Sequence, residues 1–177
     1  MIRPSAGHRT GRLFLPLSGL VLLLLFPGCR PAPKPENILL VTLDTQRADH
    51  ISAYDPSRAA TPNIDLLARE GVLYRNAYSL IPITVPSHAS LFFSEPPHRI
   101  RNYNNGQTIP ARRSRPSFVN LFRKKGFATA AFVSLGVLSS EFGLEQGFED
   151  YVDEFPPDRW YLSAGEVNAR VFPWLER

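Results

Sequence analysis

Cysteine is almost absent from this 177-residue chain, which contains only Cys29. A single thiol excludes an intrachain disulfide, and it leaves the body of the domain without a cysteine nucleophile or a cysteine-based metal site. Histidine is missing after residue 133, although a run of acids lies between Glu141 and Asp158. That part of the chain therefore supplies no histidine for a metal site.

Acidic residues are missing from positions 1–28, which carry Arg3, Arg9 and Arg12. These three account for most of the formal net charge of +4, because the rest of the chain holds 17 bases and 16 acids. The excess of basic over acidic residues lies mainly in the N-terminal segment, so it gives no reason to expect a nucleic-acid partner.

The N-terminus reads as an export signal. The apolar run from Leu13 to Phe26 has 14 residues, which is short for a membrane-spanning helix of about 20 residues. Cys29 follows Pro27 and Gly28 in a pattern that resembles a bacterial lipobox. We predict a signal peptide (1–28), lipidation at Cys29 and a proline-rich tether (29–36). An uncleaved N-terminal anchor is the alternative. In both cases the protein is exported and attached to a membrane, in the periplasm or at the cell surface.

Residues 37–177 alternate between strand and helix patterns. The continuous apolar run at 37–43 is typical of a strand buried on both faces. Prolines at helix starts, glycines at helix ends and a Ser163–Glu166 capping box indicate where the helices begin and end. The sequence predicts strands at 37–43, 72–77 and 127–133, and helices at 61–71, 87–93, 117–125 and from 163 onward. This alternation predicts a layered α/β domain.

Asp44 follows the first predicted strand, at the edge where α/β sheets gather ligands. Its carboxylate would suit a divalent cation. A role in the turn or as a helix cap explains the same position equally well.

Thr84 stands just before a helix that opens behind Pro86. A helix N-terminus offers free N–H groups and a positive dipole end, which favour an anionic ester. The Thr84 hydroxyl could attack phosphorus or sulfur if a metal lowered its pKa. The alternative is an ordinary capping arrangement.

Several spaced motifs follow one another along the chain: Val41-Thr-Leu-Asp44-Thr-Gln-Arg-Ala-Asp49-His50, Thr61-Pro-Asn-Ile-Asp65, Gly71-Val, Asn76-Ala77-Tyr78, Thr84-Val-Pro-Ser-His-Ala-Ser-Leu91, His98-Arg-Ile-Arg-Asn102, Gly126-Phe-Ala-Thr-Ala-Ala-Phe-Val133 and Phe142-Gly-Leu-Glu-Gln-Gly-Phe148. Taken together, they resemble the sulfatase family of the alkaline phosphatase superfamily. More closely, residues 84–91 resemble the lipoprotein-type members in which Thr-Leu-Pro-Ser-His-Ala-Ser replaces Cys-x-Pro-Ser-Arg.

The resemblance implies a layered fold with helices on both sides of a mostly parallel sheet, and metal-dependent hydrolysis of sulfuric esters. It places Asp44 as a metal ligand and Thr84 as the nucleophile or a metal-facing hydroxyl. The cation would be calcium, magnesium or zinc. Arg101 would bind the anionic ester substrate. His88 would contact the substrate or orient Thr84, unless it is simply a packed, hydrogen-bonded residue.

Three departures from the family pattern affect the expected chemistry. Thr84 and His88 replace the formylglycine precursor and an arginine, and threonine cannot be converted to formylglycine. Thr45 replaces the usual second aspartate. A threonine nucleophile also resembles that of the nucleotide pyrophosphatase/phosphodiesterase branch, which uses two zinc ions. Phosphodiester cleavage or phosphoryl transfer is therefore the first alternative activity.

The resemblance also implies that further Asp and His ligands come from the C-terminal half of the domain. We therefore expect residues 37–177 to be the N-terminal part of a sulfatase domain, and the chain as given to be inactive. A membrane-tethered remnant without catalytic activity is the second alternative.

Overall fold

The computed structural model of the chain describes residues 37–111 and 116–177. The predicted signal peptide, the lipidation site at Cys29 and the proline-rich tether lie outside the described residues, and they stay predictions. Within the described ranges, no helix combines the length and the apolar character needed to cross a membrane.

Residues 37–43 do not form the buried strand that their apolar sequence predicts. No strand is assigned there, and five of the side chains are between 50% and 72% exposed: Ile38, Leu39, Leu40, Val41 and Leu43. A buried strand needs hydrogen-bonding neighbours and packed layers over both faces, and none of the described strands pairs with this segment. The boundary between two units of the chain falls between residues 41 and 42, inside this run.

The second unit contains every helix and strand in the described part of the chain. Its α-helices are α1 (Pro62–Glu70), α2 (Thr84–Phe93), α3 (Pro97–Ile100), α4 (Phe118–Lys124) and α5 (Ala164–Leu175), its strands are β1 (Ala130–Phe132) and β2 (Asp150–Val152), and its short 3-10 helices are Ala48–His50, Gly136–Leu138 and Ser140–Phe142.

The two strands pair in parallel, with Ala130 opposite Asp150 and Phe132 opposite Val152. Helix α5 returns against β1, where the ring of Trp174 meets the edge of Phe132 at a centroid distance of 6.2 Å. The indole N–H of Trp174 also donates to the Asp150 carboxylate at 2.7 Å. Parallel strands joined by a crossover and covered by a helix confirm the α/β class, although the sheet of the described residues holds only these two strands.

Helix α1 begins where a hydroxyl–carboxylate network fixes the chain. The Ser52 hydroxyl donates to Asp65 at 2.7 Å and lies 2.8 Å from the Thr61 hydroxyl. Pro62 occupies the first helical position, which costs no hydrogen bond because that N–H has no partner within a helix. The helix ends at Gly71. The prediction of a helix at 61–71 is confirmed to within one residue at each end.

The two other predicted strands also differ from the structure. Residues 72–77 are irregular, with Val72 76% exposed and Tyr74 71% exposed. The predicted strand at 127–133 shortens to β1, whose three residues pair in register with those of β2, although the Val133 N–H also donates to the carbonyl of Val152 at 3.1 Å. Both differences have the same cause, since a strand is defined by its neighbour and not by its own sequence.

Helix α2 starts three residues earlier than predicted. Pro86 lies inside its first turn and not ahead of it, and proline is tolerated there because the first N–H groups of a helix have no intrahelical acceptor. The Ser87 N–H reaches back to the carbonyl of Ile83 at 3.0 Å and closes the turn. Thr84 is therefore the first residue of the helix.

One face of α2 is the centre of the hydrophobic core. Val85 and Ala89 lie one turn apart and are both 0% exposed. They cluster with four other buried side chains, Ile100, Ile109, Leu138 and Leu144. Because residues four apart share a helix face, burial of this pair places Thr84 and His88 together on the neighbouring face.

Helix α5 opens with the predicted capping box. The Ser163 hydroxyl accepts from the Glu166 N–H, and the Glu166 carboxylate accepts from the Ser163 N–H at 2.8 Å. The guanidinium of Arg159 donates to both oxygens of the same carboxylate. Together, the Arg159 hydrogen bonds first and those from Ser163 second lower the pKa of Glu166 to about 2.

We expect this carboxylate to make stability depend on pH. A lowered folded-state pKa gives stability that is present above the ordinary value of 4.5 and is lost as the pH falls towards about 2. Thermal unfolding measured across that range should show this loss in the wild-type chain and much less of it in Glu166→Gln. Arg159→Gln should also reduce it, and an unchanged acid dependence in both variants would contradict the assignment.

Candidate active site

Asp44 lies in a tight turn directly after the apolar run. The Gln46 N–H is 3.4 Å from the carbonyl of Leu43, and Thr45 between them has φ of +55°. A β-branched residue rarely adopts this left-handed conformation. The strain costs on the order of 1–3 kcal/mol and persists only where the surrounding structure enforces it.

The Thr84 hydroxyl donates to the Asp44 carboxylate, although 40 positions separate the two residues in the chain. Its oxygen lies 3.3 Å from Oδ1 and 3.2 Å from Oδ2. One proton shared between two acceptors gives longer distances than the roughly 2.7 Å of a single O–H···O bond. The structure therefore brings together the two residues that the sequence singles out for chemistry.

The N-terminus of α2 is less open to an anion than the sequence predicts. Pro86 has no N–H, and the N–H of Val85 donates to the side-chain oxygen of Asn105 at 3.0 Å. The N–H of Ser87 bonds within the first turn. Among the described residues, only the N–H of Thr84 is left without a hydrogen-bond partner in the first turn of the helix.

Asn105 is a site residue that the sequence analysis misses. The N-cap residue, Ile83, has an aliphatic side chain and makes no capping bond, so a distant asparagine takes the usual capping role. A compact loop holds it: Gln107 accepts from the N–H groups of Tyr103 and Asn104 at 2.7 and 3.1 Å. The Asn-Gly pair at 105–106 signals a tight turn, but no local pattern reveals which helix the turn contacts.

The ring of His88 lies between two segments of the site. Its Nδ1 is 2.9 Å from the carbonyl oxygen of Thr84, and its Nε2 is 3.2 Å from the hydroxyl of Thr42. The edge of the ring also approaches Phe92, with centroids 6.2 Å apart. Neither ring nitrogen is bonded to the Thr84 hydroxyl.

An open groove surrounds Asp44 and Thr84. Its volume is about 780 Å³, and it is lined by residues 42–46, residues 78–84 and one side of α2 (Ser87, His88, Ser90, Leu91 and Ser94). Much of the lining is apolar, and Tyr78 at its rim is 86% exposed. The groove has room for an ester with an organic group on one side of the two polar residues.

Arg101 lies outside this groove. It follows α3 with φ of +62°, its side chain is exposed, and it is absent from the groove lining. The structure therefore does not place it beside Asp44 and Thr84, and its role in substrate binding stays a prediction. The loop that follows Arg101 does reach α2, through Asn105.

The oxygen donors at the site have the right chemistry for a hard divalent cation but are too few to hold one. Asp44 offers a carboxylate and Thr84 a hydroxyl, which are ligand types that calcium and magnesium accept. Within residues 37–111 and 116–177, no group of three His, Cys, Asp or Glu side chains is placed to hold a metal ion.

Comparison with known proteins places these residues in a family. The sulfatase family model matches residues 36–167. N-acetylglucosamine-6-O-sulfatase of Bacteroides thetaiotaomicron is 26% identical over 153 residues, covering 84% of this chain and 27% of that protein. Human N-acetylgalactosamine-6-sulfatase is 39% identical over 72 residues, 41% of this chain and 14% of that protein. Human N-sulphoglucosamine sulphohydrolase is 38% identical over 88 residues, 50% of this chain and 17% of that protein.

The chain thus spans about a quarter or less of the length of these curated relatives. No solved structure matches it. The family match nevertheless covers well over half of the chain, and it includes both Asp44 and Thr84. The chain belongs to the sulfatase family.

Proposed function

We propose that the protein hydrolyses sulfuric esters, with Thr84 as the nucleophile and Asp44 as its partner. The observation that carries the proposal is the hydrogen bond from the Thr84 hydroxyl to the Asp44 carboxylate, inside a groove of a sulfatase-family chain. A hydroxyl is a weak nucleophile until a neighbouring group takes its proton or lowers its pKa. Asp44 is the described group in contact with that proton.

In the proposed reaction, the Thr84 oxygen bonds to sulfur as its proton passes to Asp44. The ester S–O bond breaks, and the departing alkoxide takes a proton from solvent. Water then attacks the sulfur and gives one proton to solvent, and the bond between sulfur and the Thr84 oxygen breaks. The Thr84 oxygen takes its proton back from Asp44, and sulfate leaves. The exposure of the groove allows both the substrate and this water to reach Thr84.

A divalent cation completes the proposal. Asp44 and Thr84 would supply two of its oxygen ligands, and the others would come from outside the described residues. When bound, calcium, magnesium or zinc would lower the pKa of the hydroxyl and offset the negative charge of the ester. The relatives whose names describe sulfatases support this, because the family is generally metal-dependent.

Phosphoester cleavage on the same residues is the second candidate. The hydroxyl of Thr84 favours it, because a threonine nucleophile resembles that of the nucleotide pyrophosphatase/phosphodiesterase branch. A formylglycine would release sulfate by another route, and threonine cannot form one. We propose Arg101 as an anion-binding residue for either ester, supported only by its position in a family motif.

We expect activity to depend on the Thr84 hydroxyl and the Asp44 carboxylate. Thr84→Val and Asp44→Asn should each lower kcat/KM on aryl sulfates by roughly 10²- to 10⁴-fold, the usual contribution of a proton-transfer group. The assay uses the protein expressed from its own gene, with calcium, magnesium or zinc added. Thr84→Ser should keep much of the activity.

Thr108→Val is a matched control, because that hydroxyl bonds to the carbonyl of Glu141 and lies outside the groove. Faster turnover of aryl phosphates or phosphodiesters than of aryl sulfates would favour the second candidate. Full activity in Thr84→Val would rule out both, and a protein inactive on every ester would favour a tethered remnant without catalysis.

Asn105 is expected to stabilise the helix that starts at Thr84. Asn105→Ala leaves the buried N–H of Val85 without an acceptor, and loss of such a cap costs about 1 kcal/mol. Asn105→Asp keeps an acceptor oxygen at the helix N-terminus and should retain most of the stability. Chemical denaturation measures both variants, and equal losses in the two would contradict the capping role.

We also propose that the protein acts outside the cytoplasm, tethered to a membrane through a lipid on Cys29. The support is the arginine-bearing apolar N-terminus and the lipobox-like residues before the cysteine. Cys29→Ser should move the protein from the membrane fraction to the soluble fraction. Retention in the membrane would indicate the uncleaved anchor instead.

A further inference from the structure

His88 connects two parts of the chain that are far apart in sequence. It lies one turn after Thr84 in α2, so its side chain shares a helix face with that residue. Its Nε2 reaches the hydroxyl of Thr42, which is 46 positions away and two residues before Asp44. The ring therefore spans from the helix that carries Thr84 to the segment that carries Asp44.

The hydrogen-bond partners determine how the neutral ring is protonated. The carbonyl oxygen of Thr84 can only accept, so Nδ1 must carry the proton. Nε2 is then the acceptor, and the hydroxyl of Thr42 is its donor at 3.2 Å. Both nitrogens are thus engaged, and neither is available to take the proton of the Thr84 hydroxyl.

The segment at 42–46 has few other attachments to the helix. Among the described residues, its backbone hydrogen bond is local, from the Gln46 N–H to the carbonyl of Leu43, and residues 42–46 are exposed. Among the described residues, the side-chain links between this segment and α2 are the Thr84–Asp44 and His88–Thr42 hydrogen bonds. The His88–Thr42 hydrogen bond holds residues 42–46 to α2 without involving the Asp44 carboxylate or the Thr84 hydroxyl.

We propose that His88 is a positioning residue: it ties Thr42 to α2 and thereby holds Asp44 opposite the Thr84 hydroxyl. The proposal rests on the proposed function for its catalytic meaning. The structural part of the proposal does not depend on that function, because the hydrogen bond between His88 and Thr42 restrains the backbone of residues 43–46 whether or not the groove performs catalysis.

Two variants with amide side chains distinguish the roles of the two ring nitrogens of His88. The side-chain nitrogen of an asparagine matches the position of Nδ1, and the end of a glutamine side chain matches that of Nε2. His88→Asn therefore keeps the bond to the Thr84 carbonyl and loses Thr42, whereas His88→Gln keeps Thr42. Thr42→Val removes the same bond from the other side with little change in shape.

The measurement is the NMR order parameter of the backbone amides of residues 43–46 in the full chain. We expect wild type and His88→Gln to stay near the value of about 0.85 that marks a rigid backbone, and His88→Asn and Thr42→Val to fall below about 0.6. The double variant Thr42→Val/His88→Asn should fall no further than either single one, since both remove one bond. Amides of α1 are the internal control and should not change.

The imidazole nitrogens provide a second readout. Their ¹⁵N shifts should show the proton on Nδ1 in the wild-type chain, and Thr42→Val should change the Nε2 signal alone. A proton on Nε2, equal mobility in His88→Asn and His88→Gln, or a loss of order that extends into α1 would overturn the proposal. If the tie is observed and Thr84→Val remains active on esters, the proposed function fails and the positioning role stands.

Discussion

The buried face of α2 is the constraint on which the candidate site depends. Val85 and Ala89 are completely buried among the aliphatic side chains of α3 and the loops that follow. Their burial fixes the rotation of the helix about its own axis, because removing either from the core would leave a cavity or expose apolar surface. Thr84 and His88 point into the groove because their neighbours in the sequence point into the core.

The groove combines a pair of polar residues that contact each other with exposed apolar side chains. Asp44 and Thr84 contact each other, whereas Leu43, Tyr78, Leu80 and Leu91 line the groove and are all at least 47% exposed. The curated sulfatases to which this chain is similar are several times longer. Asp44 is the one carboxylate among the described residues that line the groove, which agrees with our proposal that the remaining metal ligands come from outside the described residues.

The helix that carries Thr84 shows how a deficiency in local sequence is compensated by tertiary structure. Ile83 stands at the N-cap and cannot accept a hydrogen bond, and Pro86 brings no N–H. Asn105 supplies the missing acceptor from a loop 20 residues further on. Among the described residues, this arrangement leaves only the N–H of Thr84 without a hydrogen-bond partner in the first turn of the helix.

Local signals predicted the helices well and the strands badly. The capping box at Ser163 predicted the start of α5, and Pro62 and Gly71 predicted the two ends of α1. These local signals were enough because a helix satisfies its hydrogen bonds within its own residues. The strands expected at 37–43 and 72–77 are not present, and β1 is shorter than predicted. Strand residues need partners from elsewhere in the fold, and apolar sequence cannot supply those partners.

The contrast between local signals and long-range contacts also applies to the candidate site. Sequence motifs alone identified Asp44, Thr84 and His88, and the family to which the chain belongs, because motif spacing is a property of the chain. The contact between Asp44 and Thr84, the cap from Asn105 and the tie from His88 to Thr42 were decided only by the tertiary structure. Each joins residues at least 20 positions apart in the chain, and the distance between them depends on the core packing of α2, which no local pattern encodes.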